Sequence, residues 1–299
     1  MTTQSKAYPS TPARPGTDWG VVAAKVAYVV GRVLLYAVLA LGAVVFSAPL
    51  VWMISTSLKP EGLVYQIPIV WIPPEPRWDN YPRAWNVLPF ATFYMNTAFI
   101  TVVNIIGLVL SSSLVAFGFA RIRFWARNTI FIILLATMML PSQVTLIPIY
   151  LFWATLGAVN TFWPLIVPQW LTNAYNVFLL RQFFMSINTE LDDAARIDGA
   201  GWLRIYWNIL MPLSKPALGV IAIQAFAWNW NNFFDPLIYL NEPKRFTIAI
   251  GLRLFQTQQS QRIPETMAMT VVALIPVLVV FYIAQAKFIQ GIVISGVKG

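Results

Sequence analysis

The sequence predicts an all-α membrane protein of six transmembrane helices, and three observations carry that prediction. The chain is 58% hydrophobic and only 10% charged, more apolar and less charged than a soluble domain of its size. Its charges are bunched, and the gaps between them match the roughly 20 residues that a helix needs to cross a bilayer. Counted over six spans, lysine and arginine number 13 on one side and 7 on the other, a bias that puts the richer side, with both termini, in the cytoplasm.

The gaps set the elements in order. Residues 1–32 precede them, and the Ser-, Thr- and Pro-rich stretch 1–18 predicts a disordered cytoplasmic tail. The first apolar segment starts too late and runs too long for a cleaved signal peptide. Between Arg32 and Lys59 lie 26 uncharged residues, which hold a first span at 33–56. Between Arg83 and Arg121 lie 37, which hold a second at 93–119. The 53 uncharged residues from Arg127 to Arg181 are about twice the required length and carry Gly157, Asn160 and Pro164 near their middle. They predict two helices, 129–151 and 162–180, joined by a turn. A fifth span, 216–234, fills the 19 residues between Lys215 and Asp235, and Asp235 with Pro236 marks its end or a kink. The sixth, 266–286, fills the 21 residues between Glu265 and Lys287. The organisation expected is a tail at 1–32 and one six-span domain at 33–299, with its largest cytoplasmic loop at 183–215. Trp71, Trp78, Trp85, Trp125, Trp163, Trp202 and Trp207 fall near predicted boundaries, where tryptophan anchors a protein to the lipid bilayer.

What is missing narrows the function. The chain has no His and no Cys, which removes His-based triads, thiol nucleophiles and nearly all structural zinc sites, and no metal site or disulfide framework is expected. No G-x-x-x-x-G-K-[ST] run occurs, so an ATP motor of the P-loop type is not encoded here. The net charge of +9 is largely the topological bias itself and calls for no nucleic-acid partner. None of the six span cores carries Lys, Arg, Asp or Glu, whereas ion-coupled transporters often place such a group at mid-membrane.

Polar residues inside the spans nevertheless share faces. Thr97, Thr101, Asn104 and Ser111 fall at offsets 0, 4, 7 and 14; Gln169, Asn173 and Asn176 at 0, 4 and 7; Gln224 and Asn231 are seven apart with Trp228 between them. One reading is interhelical glue, in which each amide or hydroxyl bonds a neighbouring helix. The other is a polar path that offers donors and acceptors, without fixed charge, to a polyhydroxylated solute. Candidate path residues on the second reading are Asn104, Gln169, Asn173, Asn176, Gln224, Trp228 and Asn231.

The stretch "DDAARIDGAGWLRIYWNILMPLSKP", 192–216, is a polar island in this chain. A helix start at Thr189 suits the acidic residues that follow it, since these face the positive end of the helix dipole. Gly199 and Gly201 then predict a bend. Beyond it Trp202, Ile205, Tyr206, Ile209 and Leu210 recur at offsets 0, 3, 4, 7 and 8, an amphipathic helix whose apolar face would rest on lipid or dock on a cytoplasmic partner.

This loop resembles the EAA loop of bacterial ATP-binding-cassette importers, whose pattern is E-A-A, three residues, G, nine residues, I-x-L-P. Here it reads Asp193, Ala194, Ala195, then Gly199, then Ile209, Leu210, Met211 and Pro212, with every spacing kept. Asp193 stands where Glu is usual and Met211 where Leu is usual. Together with "LPSQVTLIPIY" (140–150), "LLRQFF" (179–184), "IDGA" (197–200) and the terminal "GIVISGVKG" (291–299), the motif is similar to the shorter of the two permeases of carbohydrate importers, the maltose-system type. The resemblance implies the type I importer permease fold and a bacterial or archaeal inner-membrane location. It implies a second permease, a dimeric ATPase that binds ATP and Mg, and an extracytoplasmic solute-binding protein, with no cofactor in this chain and no catalysis by it. Coupling to the ATPase would fall on Asp193, Ala194, Ala195, Asp198, Gly199, Trp202, Ile209 and Pro212, and contact with the binding protein on the outer loop 241–264. Such importers also handle glycerol phosphates, so the solute stays open. The rival readings are a self-contained secondary transporter or channel for a polar solute, and a membrane-embedded enzyme; the carboxylates in loops and the missing His and Cys weigh against the latter.

Overall fold

A computed structural model of the chain describes residues 19–259 and 262–296. The tail expected at 1–18 and the last three residues of the C-terminal motif lie outside that range. The chain divides into two units, residues 1–52 and 53–299.

Most of helix α1 (Trp19–Ser57) belongs to the first unit. Val33, Leu34, Leu35 and Tyr36, which go once round the helix, are all exposed. A helix apolar all round has no stable place in water, and lipid is the solvent that suits it.

The second unit is helical among its described residues. After α2 (Asn80–Val87), the long α3 (Phe90–Arg121) forms its axis, and α6 (Trp163–Trp170), α7 (Ala174–Ser186) and α11 (Lys215–Asn231) pack around it. Between them lie α4 (Arg127–Ala136), prolonged by a 3₁₀ turn at Thr137–Met139, and α5 (Ser142–Thr155). The polar island folds as α8 (Glu190–Ile197), α9 (Trp202–Ile205), a π-helical turn at Tyr206–Leu210 and α10 (Met211–Leu213). The chain finishes with α12 (Phe234–Tyr239), α13 (Ile248–Gln258) and α14 (Ile263–Gly296).

Three predicted spans are single long helices: α1, α3 and α14. The third and fourth are broken, for reasons that trace to particular residues. The span expected at 129–151 bends by 98° between α4 and α5, because Pro141 forces Leu140 into an extended conformation with ψ 117° and supplies no N–H to continue the ladder. The span expected at 162–180 is not one helix either: α6 stops at Trp170, Thr172 takes a left-handed φ of 77°, and Asn173 starts α7 as its N-cap. Asn173 Oδ1 accepts from the backbone N–H of Tyr175 at 2.9 Å and of Asn176 at 3.4 Å, which satisfies donors a helix start leaves free. The fifth span is α11, which ends at Asn231, with Asp235 and Pro236 opening the short α12 instead.

Three apolar clusters include residues of α3, one of them through Ile100 alone. At its C-terminal half, Phe117 and Phe119 join Val177, Leu180 and Phe184 of α7, Ile205, Tyr206 and Leu210 of the island, and Ile221 of α11. At its N-terminal half, Phe90 and Phe93 join Trp230, Phe255 and Met269. Glycine permits two of the closest approaches. A Cβ at Gly107 would lie 2.3 Å from the Trp170 indole, and one at Gly251 2.2 Å from the Phe93 ring.

Candidate functional site

The island is built as a platform anchored at one buried ion pair. Glu190, Asp192 and Asp193 occupy the first turn of α8. Asp192 turns inward, and its Oδ2 lies 2.7 Å from Nε of Arg121 at the end of α3, both side chains almost fully buried. Arg121 also donates from Nη2 to the Ile187 carbonyl at 2.8 Å, so one guanidinium grips the loop on both sides of Thr189. Burial pushes the Asp192 carboxyl above its usual range, and the Arg121 guanidinium beside it offsets only part of that. Asp192 was legible only as a dipole-suited acid; its partner lies far away in sequence.

The far end of α8 closes by a Schellman motif. Gly199 N–H donates to Arg196 O at 3.0 Å and Ala200 N–H to Ala195 O at 2.9 Å, with Gly199 in the left-handed region at φ 78°. No atom lies within 4 Å of a Cβ built there, so backbone conformation, not space, makes glycine the suitable residue. Ala195 and Ala200 lean on the apolar cluster below, while Asp193, Ala194, Ile197, Asp198 and Gly199 are exposed. Trp202, edge-on to Phe117 and under the Arg196 guanidinium at 5.0 Å, links the platform to the core.

The periodic face beyond the bend goes elsewhere than expected. Ile205, Tyr206 and Leu210 are buried in the chain's own core, and the Tyr206 hydroxyl lies 2.7 Å from Ser113 Oγ on α3. Those three side chains are covered by this chain itself; Ile209 is partly buried in the same cluster, and Trp202 and Pro212 are exposed. The π turn precedes Pro212, which cannot donate to the Asn208 carbonyl and crowds it.

The polar faces of the spans separate into two groups. Gln169, Asn173, Asn176, Gln224 and Trp228 converge with Tyr175, Asn229 and Asp235 around a cavity of about 390 Å³, within the usual size of a small-molecule site. A second cavity of about 390 Å³, lined by residues including Gln143, Thr145, Asn232 and Tyr239, shares Gln169, Asn229 and Asp235 with the first. Asn104 is instead fully buried, donating from Nδ2 to the Leu165 carbonyl at 2.9 Å and to Asn229 Oδ1 at 2.6 Å; it ties α3, α6 and α11 together. Asn231 is exposed and donates to Ala227 O of its own helix. Asp235 and Asn229 were missed as lining residues, the first because a carboxylate after a span reads as a boundary.

The segment after α12 is pinned to the bundle at both sides. Asn96 Nδ2 donates to the carbonyls of Lys244 and Phe246, each at 3.0 Å, and Asn160 Oδ1 accepts from the N–H of Asn241 and Glu242. The amphipathic α13 then buries Ile248 and Phe255 and exposes Arg253 and Gln256. Among the described residues no group of His, Cys, Asp and Glu could hold a metal ion.

Residues 107–294 match the family described as binding-protein-dependent transport system inner membrane component. The chain is 32% identical over 264 residues to a putative ABC transporter permease protein, ORF2, of Caldicellulosiruptor sp., covering 87% of this chain and 95% of that protein. It is 31% identical to the arabinooligosaccharides transport system permease protein AraQ of Halalkalibacterium halodurans, covering 84% and 91%. Among solved structures it superposes, with a TM-score of 0.76 and 26% identity, on a chain of a bacterial ABC transporter involved in the import of the acidic polysaccharide alginate, covering 93% of this chain and 100% of that one.

Proposed function

The chain belongs to the family of binding-protein-dependent transport system inner membrane components, and we propose that this permease subunit carries a sugar or sugar-like solute along a path that a second, different permease completes. The observation that carries the reading is the convergence of Gln169, Asn173, Asn176, Gln224 and Trp228 on one cavity. Amides supply donors and acceptors to hydroxyls, and an aromatic ring offers an apolar face to a sugar's C–H surface. The name of AraQ points to the same solute class, and that of the alginate importer to a saccharide that is acidic.

On this reading the energy comes from a separate ATPase dimer that binds ATP and Mg. It docks on the exposed surface of α8, where Asp193, Ala194, Asp198 and Gly199 are accessible and beyond which Pro212 is exposed too, while Ala195, Trp202 and Ile209 seat that surface on the bundle. Closure of the ATPases moves α8, and Arg121 passes the movement to α3 as a rigid body. The six-span domain at 33–299 sits in a bacterial or archaeal inner membrane with its termini and α8 in the cytoplasm. The pinned segment 241–247 and α13 face the solute-binding protein outside.

Tagging the chain, extracting it in mild detergent and identifying what stays bound by mass spectrometry tests the reading. A P-loop ATPase and a second permease are expected, with sugar-stimulated ATP hydrolysis by the recovered complex. Recovery of a stable, monodisperse chain alone would favour the self-contained secondary transporter.

A further inference from the structure

Resting on the path reading above, we propose that Asp235 is the charge-selecting residue of this path, so that the permease takes neutral or amine-bearing saccharides and turns away uronates and sugar phosphates. The two cavities have in common Gln169, Asn229 and Asp235, and among the described residues that line either one Asp235 alone carries a charge, with no lysine or arginine in either lining. Asp235 lines both cavities, so a solute held in either one meets this carboxylate. Asn232 Nδ2 donates to its Oδ2 at 2.8 Å and Asn232 Oδ1 accepts its backbone N–H at 3.2 Å, which fixes the side chain while using only one of its roughly four lone-pair sites.

A carboxylate held this way accepts hydrogen bonds from two neighbouring hydroxyls, and from an ammonium more strongly still. An anionic solute meets the opposite: like charges in a partly enclosed cavity repel with less screening than in open water, and no other charged side chain in the lining offsets the repulsion. The amides around it are neutral and compensate neither case. This chain's half of the path is therefore biased by charge before the partner permease contributes anything.

The test is equilibrium dialysis of the purified permease complex, with the solute-binding protein left out so that any discrimination belongs to the path. The probes are three radiolabelled disaccharides of matched size: cellobiose, digalacturonate and the glucosamine dimer. The expected result is saturable binding of cellobiose and the glucosamine dimer, with digalacturonate at least tenfold weaker. Asp235→Asn, which keeps an acceptor for Asn232, should bring digalacturonate to within about threefold of cellobiose and weaken the glucosamine dimer about tenfold. Digalacturonate binding as tightly as cellobiose in the unaltered complex overturns the proposal and leaves the path reading standing. Absence of saturable binding by all three removes the path reading, and the proposal with it. The ranking in the unaltered complex decides the matter even where the variant fails to fold.

Discussion

At the scale of single residues, the platform that α8 forms depends on groups whose partners no spacing rule announces. Asp192 and Arg121 are both almost fully buried and 2.7 Å apart. Taking two charges out of water offsets much of their attraction, so the pair fixes position more than it adds stability, whereas removing one member strands the other. Asp192→Ala and Arg121→Ala should each lower the stability of the purified complex by about 3–5 kcal/mol, while the paired apolar replacement Arg121→Met with Asp192→Leu should recover most of it. Thermal unfolding of the four proteins checks this, and equal losses in the single and paired variants would refute it. Gly199 poses a purer backbone question, since its φ of 78° lies where a Cβ costs about 1–2 kcal/mol. Gly199→Val should leave the complex assembled yet raise the ATP hydrolysed per solute transported, and Gly199→Asn, which tolerates the left-handed region, should restore the ratio. Unchanged uptake and stoichiometry in Gly199→Val would separate α8 from coupling. Gly199 was readable from its motif and its turn chemistry, but the Asp192 pairing needed the fold, because α3 and α8 meet only after the chain has turned through α4 to α7.

At the scale of elements, charge gaps located the long apolar helices α1, α3 and α14, because bilayer thickness constrains length whatever the packing. Continuity was a different matter. Pro141 and Asn173 were visible in the sequence, yet an apolar run of the right length hides a break when the freed backbone groups find partners inside the protein. The loop face at Ile205, Tyr206 and Leu210 shows the same limit, since 3.6-residue periodicity identifies an apolar face but not what covers it. Helix contacts also respond unequally to the same added methyl. Gly251 abuts Phe93, which is fully buried, and Gly107 abuts Trp170, which is 44% exposed. Phe93 has nowhere to go, whereas Trp170 can rotate outward. Gly251→Ala should therefore destabilise by about 1–3 kcal/mol, the usual range for overpacking, and Gly107→Ala by clearly less. Melting temperatures in one detergent decide between them, and the reverse order would show that α3 rests on α6 more rigidly than on α13.

At the scale of the whole molecule, the polar residues of the spans do two jobs that composition cannot separate. Spacing placed Asn104 on one face with other polar groups, and Gln224 on another, with nothing to distinguish them. The fold distinguishes them by partner. Asn104 bridges Leu165 and Asn229 from a fully buried position, so three helices depend on one amide. Gln224 makes no side-chain hydrogen bond among the described residues and opens onto the cavity, so its capacity is free for a solute. Asn104→Ala should strip partners from a buried carbonyl and amide, cost about 1–3 kcal/mol, and reduce the amount of folded complex recovered. Gln224→Ala should leave recovery and melting temperature unchanged and weaken solute binding by about tenfold, the worth of one well-made hydrogen bond to a solute. The comparison needs both variants in one preparation, because lost transport alone would not tell an unfolded bundle from an emptied path. Loss of folded protein in Gln224→Ala would make that amide a structural one and take the cavity's strongest candidate away. A normal affinity in a well-folded Gln224→Ala complex would move the solute's contacts onto the partner permease, leaving this chain as the lever that couples α8 to α3.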